Sequence, residues 1–454
     1  MKRTSLLLAM AALSVLAFLS SCSLPRQLRK SAAATLLSDS ALGHAQLGVA
    51  VFDAGSRRML YRYGSDRYFV PASNTKLVTC YAAMKHLGDS LEGVVWHDLD
   101  TAILLEPTGD PTLLHPDFAS QPVMDFLSAC AKPLYLDAGA WRTTALGTGW
   151  SWDDYAAYYM PERSALPVHG NYVTWRQSVS RKENPTGPGD TTDAFITGDP
   201  EGPWQVDFRA PDPAGRFSVG RDRDRNRFLL TEGRADGVSV DVPFVTDGSV
   251  TALAILNERL GGAGRLREWP SGAVRPAAAG RTIRSQPTDS LLKPLMHRSD
   301  NFFAEQALLM VSRRLTGTLR ESAGIDTLLA TTLSGMPQAP RWADGSGLSR
   351  YNLFSPEDFV WLLDRMQSDF GMDRLKAILP TAGTGTLGSL DARLSGRVQA
   401  KTGTLSGVVA LSGYLLTRKG HRLIFSLLVN NHRTTAAHVR KRFGQFLLDL
   451  YEKG

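Results

Sequence analysis

Three apolar, alternating segments follow one another near the C-terminus: "VQAKTGT" from Val398, "VALSGYLLT" from Val409 and "HRLIFSLLVNN" from His421. They read as consecutive antiparallel strands, with "RKG" (418–420) turning between the last two. A second pair, "AQLGVAVF" (45–52) and "RMLYRYG" (58–64) around "DAGS", reads as a β-hairpin near the start. Between hairpin and strands lie helical patterns: 73–87 stopping at Gly88, 251–260, 288–296, 301–316 closed by Gly317, and one opening at residue 357. A last helix is expected over roughly 433–452. The two ends of the chain are therefore expected to build one α/β (α+β) domain, residues 41–94 and 261–454. Residues 95–260 read as β-rich inserted material of one or two small domains. They are rich in Trp, Tyr, Asp, Pro and Gly, and "SRKENPTGPGDTTD" (180–193) reads as a polar loop within them. A chain of 454 residues has room for two or three such units, and 43% hydrophobic with 21% charged residues is a globular composition.

From the N-terminus the chain is expected to be exported from the cytoplasm. Met1-Lys2-Arg3 is a basic start, and "SLLLAMAALSVLAFLS" is an apolar core too short for a comfortable membrane span. Leu19-Ser20-Ser21-Cys22 then resembles the lipobox of bacterial lipoproteins, in which the Cys is lipidated and becomes the new N-terminus. The alternative is a plain signal peptide with a chance Cys. The expected arrangement is a signal peptide over 1–21, Cys22 as the lipidation site, and a tether over 22–40. Ser23, a residue other than Asp after that Cys, favours the outer membrane over the inner. Cys80 and Cys130 are left in the mature body, too few for a disulfide scaffold, and Cys80 reads as an inert core thiol. The net charge is +7 over the whole chain, and no basic block with interleaved aromatics points to nucleic acid. No His/Cys cluster or H-E-x-x-H motif calls for a metal, and no cofactor is expected. Gly383-Thr-Gly385-Thr-Leu-Gly388 matches G-x-G-x-x-G without the strand that should precede it, and reads as a loop. "DGSGL" around Ser346 lacks the spacing of a nucleophile elbow and reads as a turn.

Chemistry concentrates in "PASNTKLVTCYAAMKHLG" (71–88). A Ser hydroxyl needs a neighbouring base to become a nucleophile. Positions i and i+3 share a helix face, so Lys76 can reach Ser73. Lys must be neutral to act as that base, and burial beside a second cation lowers its pKa, so the mechanism asks for another Lys in the site. Ser290 and Lys293 repeat the spacing, but mid-helix and directly before Pro294. Ser73 instead stands at a helix start, where first-turn N–H groups are free to bind an oxyanion, and a buried apolar run follows it. Two further fragments complete a set: Ser299-Asp300-Asn301 ahead of a helix, and Lys401-Thr402-Gly403-Thr404 in a strand, where small residues admit a substrate backbone.

S-x-x-K, S-D-N and K-T-G in this order are shared by penicillin-binding proteins and class A β-lactamases. With Ser299 223 residues after Lys76, far more than in those β-lactamases, the sequence resembles the three-domain low-molecular-mass penicillin-binding proteins, the D-alanyl-D-alanine carboxypeptidase/endopeptidase family. "TGDPTL", "GWSWDDYAAYY", "SALPVHGNY" and "DGSGLSRYN" are secondary likenesses; Thr108-Gly109 and "LPVHGNY" depart from the family pattern. The resemblance implies Ser73 as acyl-enzyme nucleophile, Lys76 as its base, Ser299 as proton relay to the leaving amine, and Asn301 as holder of Lys76 and of the substrate amide. It implies that Lys401, Thr402, Gly403 and Thr404 receive the substrate's terminal carboxylate, and that the backbone N–H groups of Ser73 and Thr404 form the oxyanion hole. Trp150, Asp153 and Tyr158 match by spacing an aromatic–acidic cluster for the ammonium of a diaminopimelate side chain; an ordinary aromatic core with a capped turn is the alternative. The implied partners are peptidoglycan muropeptides and β-lactams, with a membrane reached through the lipid. A β-lactamase or esterase on the same fold, and an inactive murein-binding lipoprotein, are the competing readings.

Overall fold

The computed structural model describes residues 23–182, 191–210, 212, 214–262, 264–270, 272–273 and 279–454. The leader with Cys22, and the centre of the polar loop at 183–190, lie outside the described residues. Two compact units form. One comprises the chain up to Tyr81 with Lys293–Ser299 and Thr332–Gly454; the other comprises Ala82–Leu292 and Asp300–Thr331. The expected cut after residue 94 falls inside a strand, Ser90–Asp98, and the helix Asn301–Thr316 groups with the insertion.

The first unit is organised by a five-stranded antiparallel sheet in the order Val398–Leu405, Val408–Leu416, Arg422–Asn430, Gln46–Asp53, Arg58–Tyr63. The expected hairpin and the three C-terminal strands are thus joined edge to edge, with Gln46 opposite Asn430 and Asp53 opposite Leu423. Side chains alternate across a sheet, so the two faces separate cleanly. Val49, Val51, Val409, Leu411, Phe425 and Leu427 pack on one face with Val439, Phe443, Phe446 and Leu447 of the helix Ala436–Lys453. The segment expected as a tether joins this face instead. Ser23–Ala32 is an α-helix, and Leu28, Ala32 and Leu36 are buried in the same cluster. Their i, i+4, i+8 spacing is that of one helical stripe. Ser31 Oγ donates to Asp449 at 2.6 Å, and Asp39 pairs with His438 at 2.8 Å and with Arg442.

The opposite face carries a row of small or polar residues in register: Lys401, Ser412, Ser426 and Ala50. Its short side chains let the turn Ala72–Asn74 and the start of the helix Thr75–His86 lie close to the strands. The expected helix over 73–87 is therefore present, with its first turn wound as a tight 3₁₀ turn. The helix Pro356–Ile378, capped by Ser355 and Asp358 and broken at Gly371 (φ +74°), lies on this face as well; Tyr414 Oη donates to its Leu363 carbonyl at 2.6 Å.

The second unit is richer in strands. A five-stranded sheet runs Leu266–Glu268, Leu134–Leu136, Ile103–Pro107, Ser90–Asp98, Arg281–Pro287, and two three-stranded sheets are built from 172–182, 191–199 and 238–243, and from 205–209, 218–221 and 227–231. Val94, Leu105, Leu134, Trp175, Phe228, Phe244 and Leu256 share one core. Cys80 and Cys130 are both thiols rather than half-cystines.

Candidate active site

Ser73 follows a backbone that is itself constrained. Ala72 has φ +47°, a conformation costly for a residue with a Cβ. Gly347 presses against it: a Cβ on Gly347 would stand 2.0 Å from the Ala72 carbonyl oxygen. Thr75 Oγ1 donates to that same carbonyl at 2.9 Å. Asn74 Nδ2 donates to Ser412 Oγ at 2.7 Å, which bonds on to Ser426 Oγ at 2.8 Å, and Thr79 Oγ1 donates to the Gly345 carbonyl at 2.7 Å. The helix start is thus pinned to the sheet and to the loop 344–352, leaving Ser73 half-buried with its hydroxyl presented.

Lys76 is fully buried, and its Nζ lies 3.0 Å from Ser73 Oγ and 2.7 Å from the Ser346 carbonyl oxygen. This is the reach a general base needs. The carbonyl can hold an amine N–H in either protonation state of Lys76. Ser346 and Gly347 are site residues that sequence reasoning passed over as a turn. Their contribution is a backbone oxygen and a missing Cβ, neither of which a residue-type pattern reveals. The loop is set by the buried Asp344, whose carboxylate accepts from Gly347 N at 2.8 Å, Ser349 N at 2.7 Å and Asn352 Nδ2 at 2.7 Å.

Lys401 supplies the second cation. Also fully buried, it donates to Ser299 Oγ at 2.9 Å and to the Thr402 carbonyl at 2.8 Å. Burial, and then the charge of Lys76, hold its pKa well below the ordinary lysine value. Ser299, like Ala72, is a non-glycine residue at positive φ, +61°. Gly403 lies tight against the nucleophile turn: a Cβ there would stand 2.6 Å from the Pro71 carbonyl oxygen, 3.0 Å from Ser73 N and 3.1 Å from Asn74 N. The strand backbone therefore comes as near to the Ser73 amide as a glycine allows. Thr402 is half-buried and Thr404 exposed. Ser73, Lys76, Ser299 and Lys401 are thus brought together within the first unit. Ser290 and Lys293, the competing pair, are both exposed.

Asn301 opens the helix Asn301–Thr316, whose Asp300 cap accepts from Phe303 N at 3.0 Å. Its Nδ2 donates to the Tyr159 carbonyl at 2.8 Å, which fixes which end of the amide carries the oxygen. The insertion holds this helix by further buried bonds. Gln306 Nε2 donates to the carbonyls of Gly109 at 2.7 Å and Ser164 at 3.0 Å. Glu305 pairs with Arg163 at 3.3 Å, and Arg163 reaches Glu321 at 3.4 Å. Trp150, expected as a substrate wall, lies with its ring over the Arg163 guanidinium, 5.5 Å from the ring centroid. Asp153 is exposed and accepts from Ser151 Oγ at 2.7 Å; Tyr158 is 72% exposed, edge-to-face with Tyr159.

An ammonium whose pKa is lowered by folding destabilises the fold. Between its folded value and about 10.4, the ordinary lysine value, the unfolded chain binds the proton more readily, so stability rises with pH over that window. Lys401→Met is expected to raise stability at neutral pH by about 1–2 kcal/mol and to flatten the rise of Tm with pH relative to the parent protein. It should also slow acylation by roughly 100-fold or more. Thermal scans across pH check this; an unchanged or lower Tm in the variant would contradict it.

Residues 29–448 match the model of the D-Ala-D-Ala carboxypeptidase 3 (S13) family. Among curated relatives, the D-alanyl-D-alanine carboxypeptidase of Actinomadura sp. (strain R39) is 29% identical over 445 residues, covering 87% of this chain and 80% of that protein. The D-alanyl-D-alanine carboxypeptidase DacB of Haemophilus influenzae is 23% identical over 430 residues, 86% of each. Among solved structures, penicillin-binding protein 4 (dacB) from Haemophilus influenzae superposes with a TM-score of 0.72 at 21% identity, over 93% of this chain and 98% of that one, a likeness of fold. With the family model matched over most of its length, the chain belongs to the D-Ala-D-Ala carboxypeptidase 3 (S13) family.

Proposed function

We propose that Ser73 is the nucleophile of a D-alanyl-D-alanine peptidase acting on peptidoglycan stem peptides. The observation that carries this is the 3.0 Å approach of the buried Lys76 Nζ to Ser73 Oγ. Ser73 Oγ attacks the penultimate D-Ala carbonyl while its proton passes to neutral Lys76. The carbonyl oxygen, now negative, is met by the N–H groups of Ser73 and Thr404. The peptide C–N bond breaks, and the departing nitrogen takes a proton through Ser299, whose hydroxyl Lys401 holds. Water then cleaves the acyl ester, and Ser73 recovers its proton. Asn301 takes the substrate amide; Thr402, Gly403 and Thr404 take the terminal carboxylate. When terminal D-Ala leaves, the enzyme is a carboxypeptidase. When a cross-linking amine leaves, it is an endopeptidase. β-Lactams acylate the same serine.

Trp150, Asp153 and Tyr158 form the contact for a side-chain ammonium in this reading, supported by the exposed Asp153 carboxylate beside exposed aromatic surface. The protein works outside the cytoplasm, anchored by lipid at Cys22, with the outer membrane favoured. Among the described residues no helix is long and apolar enough to cross a membrane, and Cys22→Ser is expected to shift the protein from the membrane to the soluble fraction.

Digestion of purified cross-linked muropeptides, read by mass spectrometry, tests the activity. Loss of one terminal D-Ala from monomers, conversion of dimers to monomers, or both, is expected, and Ser73→Ala should abolish it. Unchanged muropeptides would overturn the reading, and rapid penicillin turnover without D-Ala release would replace it with a β-lactamase. In the same assay Asp153→Ala should raise KM selectively for substrates with a free side-chain ammonium; equal losses on all substrates would count against that contact.

A further inference from the structure

The rim of the site carries a guanidinium that the sequence patterns did not single out. Arg440 is the fifth residue of the helix Ala436–Lys453, half-buried, between the core residues Val439 and Phe443. Its Nη2 donates a 2.7 Å hydrogen bond to Thr404 Oγ1. Thr404 is exposed, and stands two residues beyond Thr402 on the same face of the strand. Among the described residues, no carboxylate lies within ion-pair distance of Arg440, whereas Arg442, two residues on, is paired with Asp39. A second guanidinium, Arg350, donates to the Ser406 carbonyl at 3.1 Å, at the turn that follows the same strand.

The chemistry of a hydroxyl gives this contact a direction. Threonine has one O–H proton and two lone pairs. Once Oγ1 accepts from Arg440, its own proton points elsewhere, and on an exposed rim that direction is outward. Thr404 thus presents a donor proton backed by a fixed positive charge. An anion arriving there meets both, and a carboxylate is the group with matching geometry and charge. We infer that Arg440 is a specificity residue for the carboxylate of the departing D-amino acid, acting with Thr404 and reading the C-terminal side of the scissile bond. The inference rests on Ser73 acting as the peptidase nucleophile proposed above. It adds a residue from the C-terminal helix, which also ties that helix to the strand bearing Lys401.

The alternative is that Arg440 merely braces the strand end, and the two roles separate by substrate. The test compares kcat/KM on an acyl-D-Ala-D-Ala peptide with that on its C-terminal carboxamide, for the parent protein, Arg440→Ala and Arg440→Lys, with Tm measured alongside. The parent is expected to prefer the carboxylate. Arg440→Ala should lose roughly 10- to 100-fold on the carboxylate substrate, at least about 10-fold more than on the carboxamide, and Arg440→Lys should recover part of the difference. Equal losses on both substrates, or a parent without preference, overturn the inference. If the parent cleaves neither substrate, the proposed peptidase activity fails. If it cleaves and discriminates, and Arg440→Ala discriminates equally, the role of Arg440 fails alone.

Discussion

Two lysine amines are held out of water in one unit, and much of its local architecture serves to make that tolerable. Lys76 and Lys401 are both fully buried, where a charge is costly. Each meets oxygens of small dipoles: the Ser346 carbonyl and Ser73 hydroxyl for one, the Thr402 carbonyl and Ser299 hydroxyl for the other. Such dipoles hydrogen-bond an amine whether or not it carries charge. Burial first, and then the charge of Lys76, lower the pKa of Lys401, so the pair disfavours its own double protonation. A site that depends on a neutral lysine at neutral pH needs this arrangement.

The strain around these groups follows from the same need. Ala72 and Ser299 sit at positive φ on the two segments that deliver hydroxyls to the lysines. Gly347 and Gly403 leave out a Cβ where the backbone of the nucleophile turn must come close. The row Lys401, Ser412, Ser426 and Ala50 keeps that sheet face shallow, while the opposite face, thick with Val, Leu and Phe, supplies the burial that holds the unit together. In the second unit, the insertion bonds to Asn301, Glu305 and Gln306, and so sets the orientation of the Asn301 amide.

The strands at both chain ends, the helix 301–316 with its Gly317 cap, and the convergence of Ser73, Lys76, Ser299 and Lys401 were legible because each rests on periodicity or on residue type. The segment 22–40 was read as a tether, although the stripe Leu28, Ala32, Leu36 that buries the helix Ser23–Ala32 was present in the sequence. Ser346 and Gly347 were hidden for a different reason: their part is played by a carbonyl and by empty space. Trp150 was matched by spacing to the family's aromatic–acidic cluster, but its partner Arg163 is buried by long-range packing that spacing does not encode. Unit boundaries were the least legible feature, since the strand Ser90–Asp98 and the helix Asn301–Thr316 find their neighbours only in three dimensions.

The central claim, that Ser73 is the activated nucleophile beside a buried lysine, is met most directly by intact-protein mass spectrometry after brief incubation with benzylpenicillin. The account predicts a single adduct of the antibiotic's full mass, mapping by peptide digestion to the segment containing Ser73 and absent from Ser73→Ala. No adduct on the parent protein, or an undiminished adduct on Ser73→Ala, would contradict it.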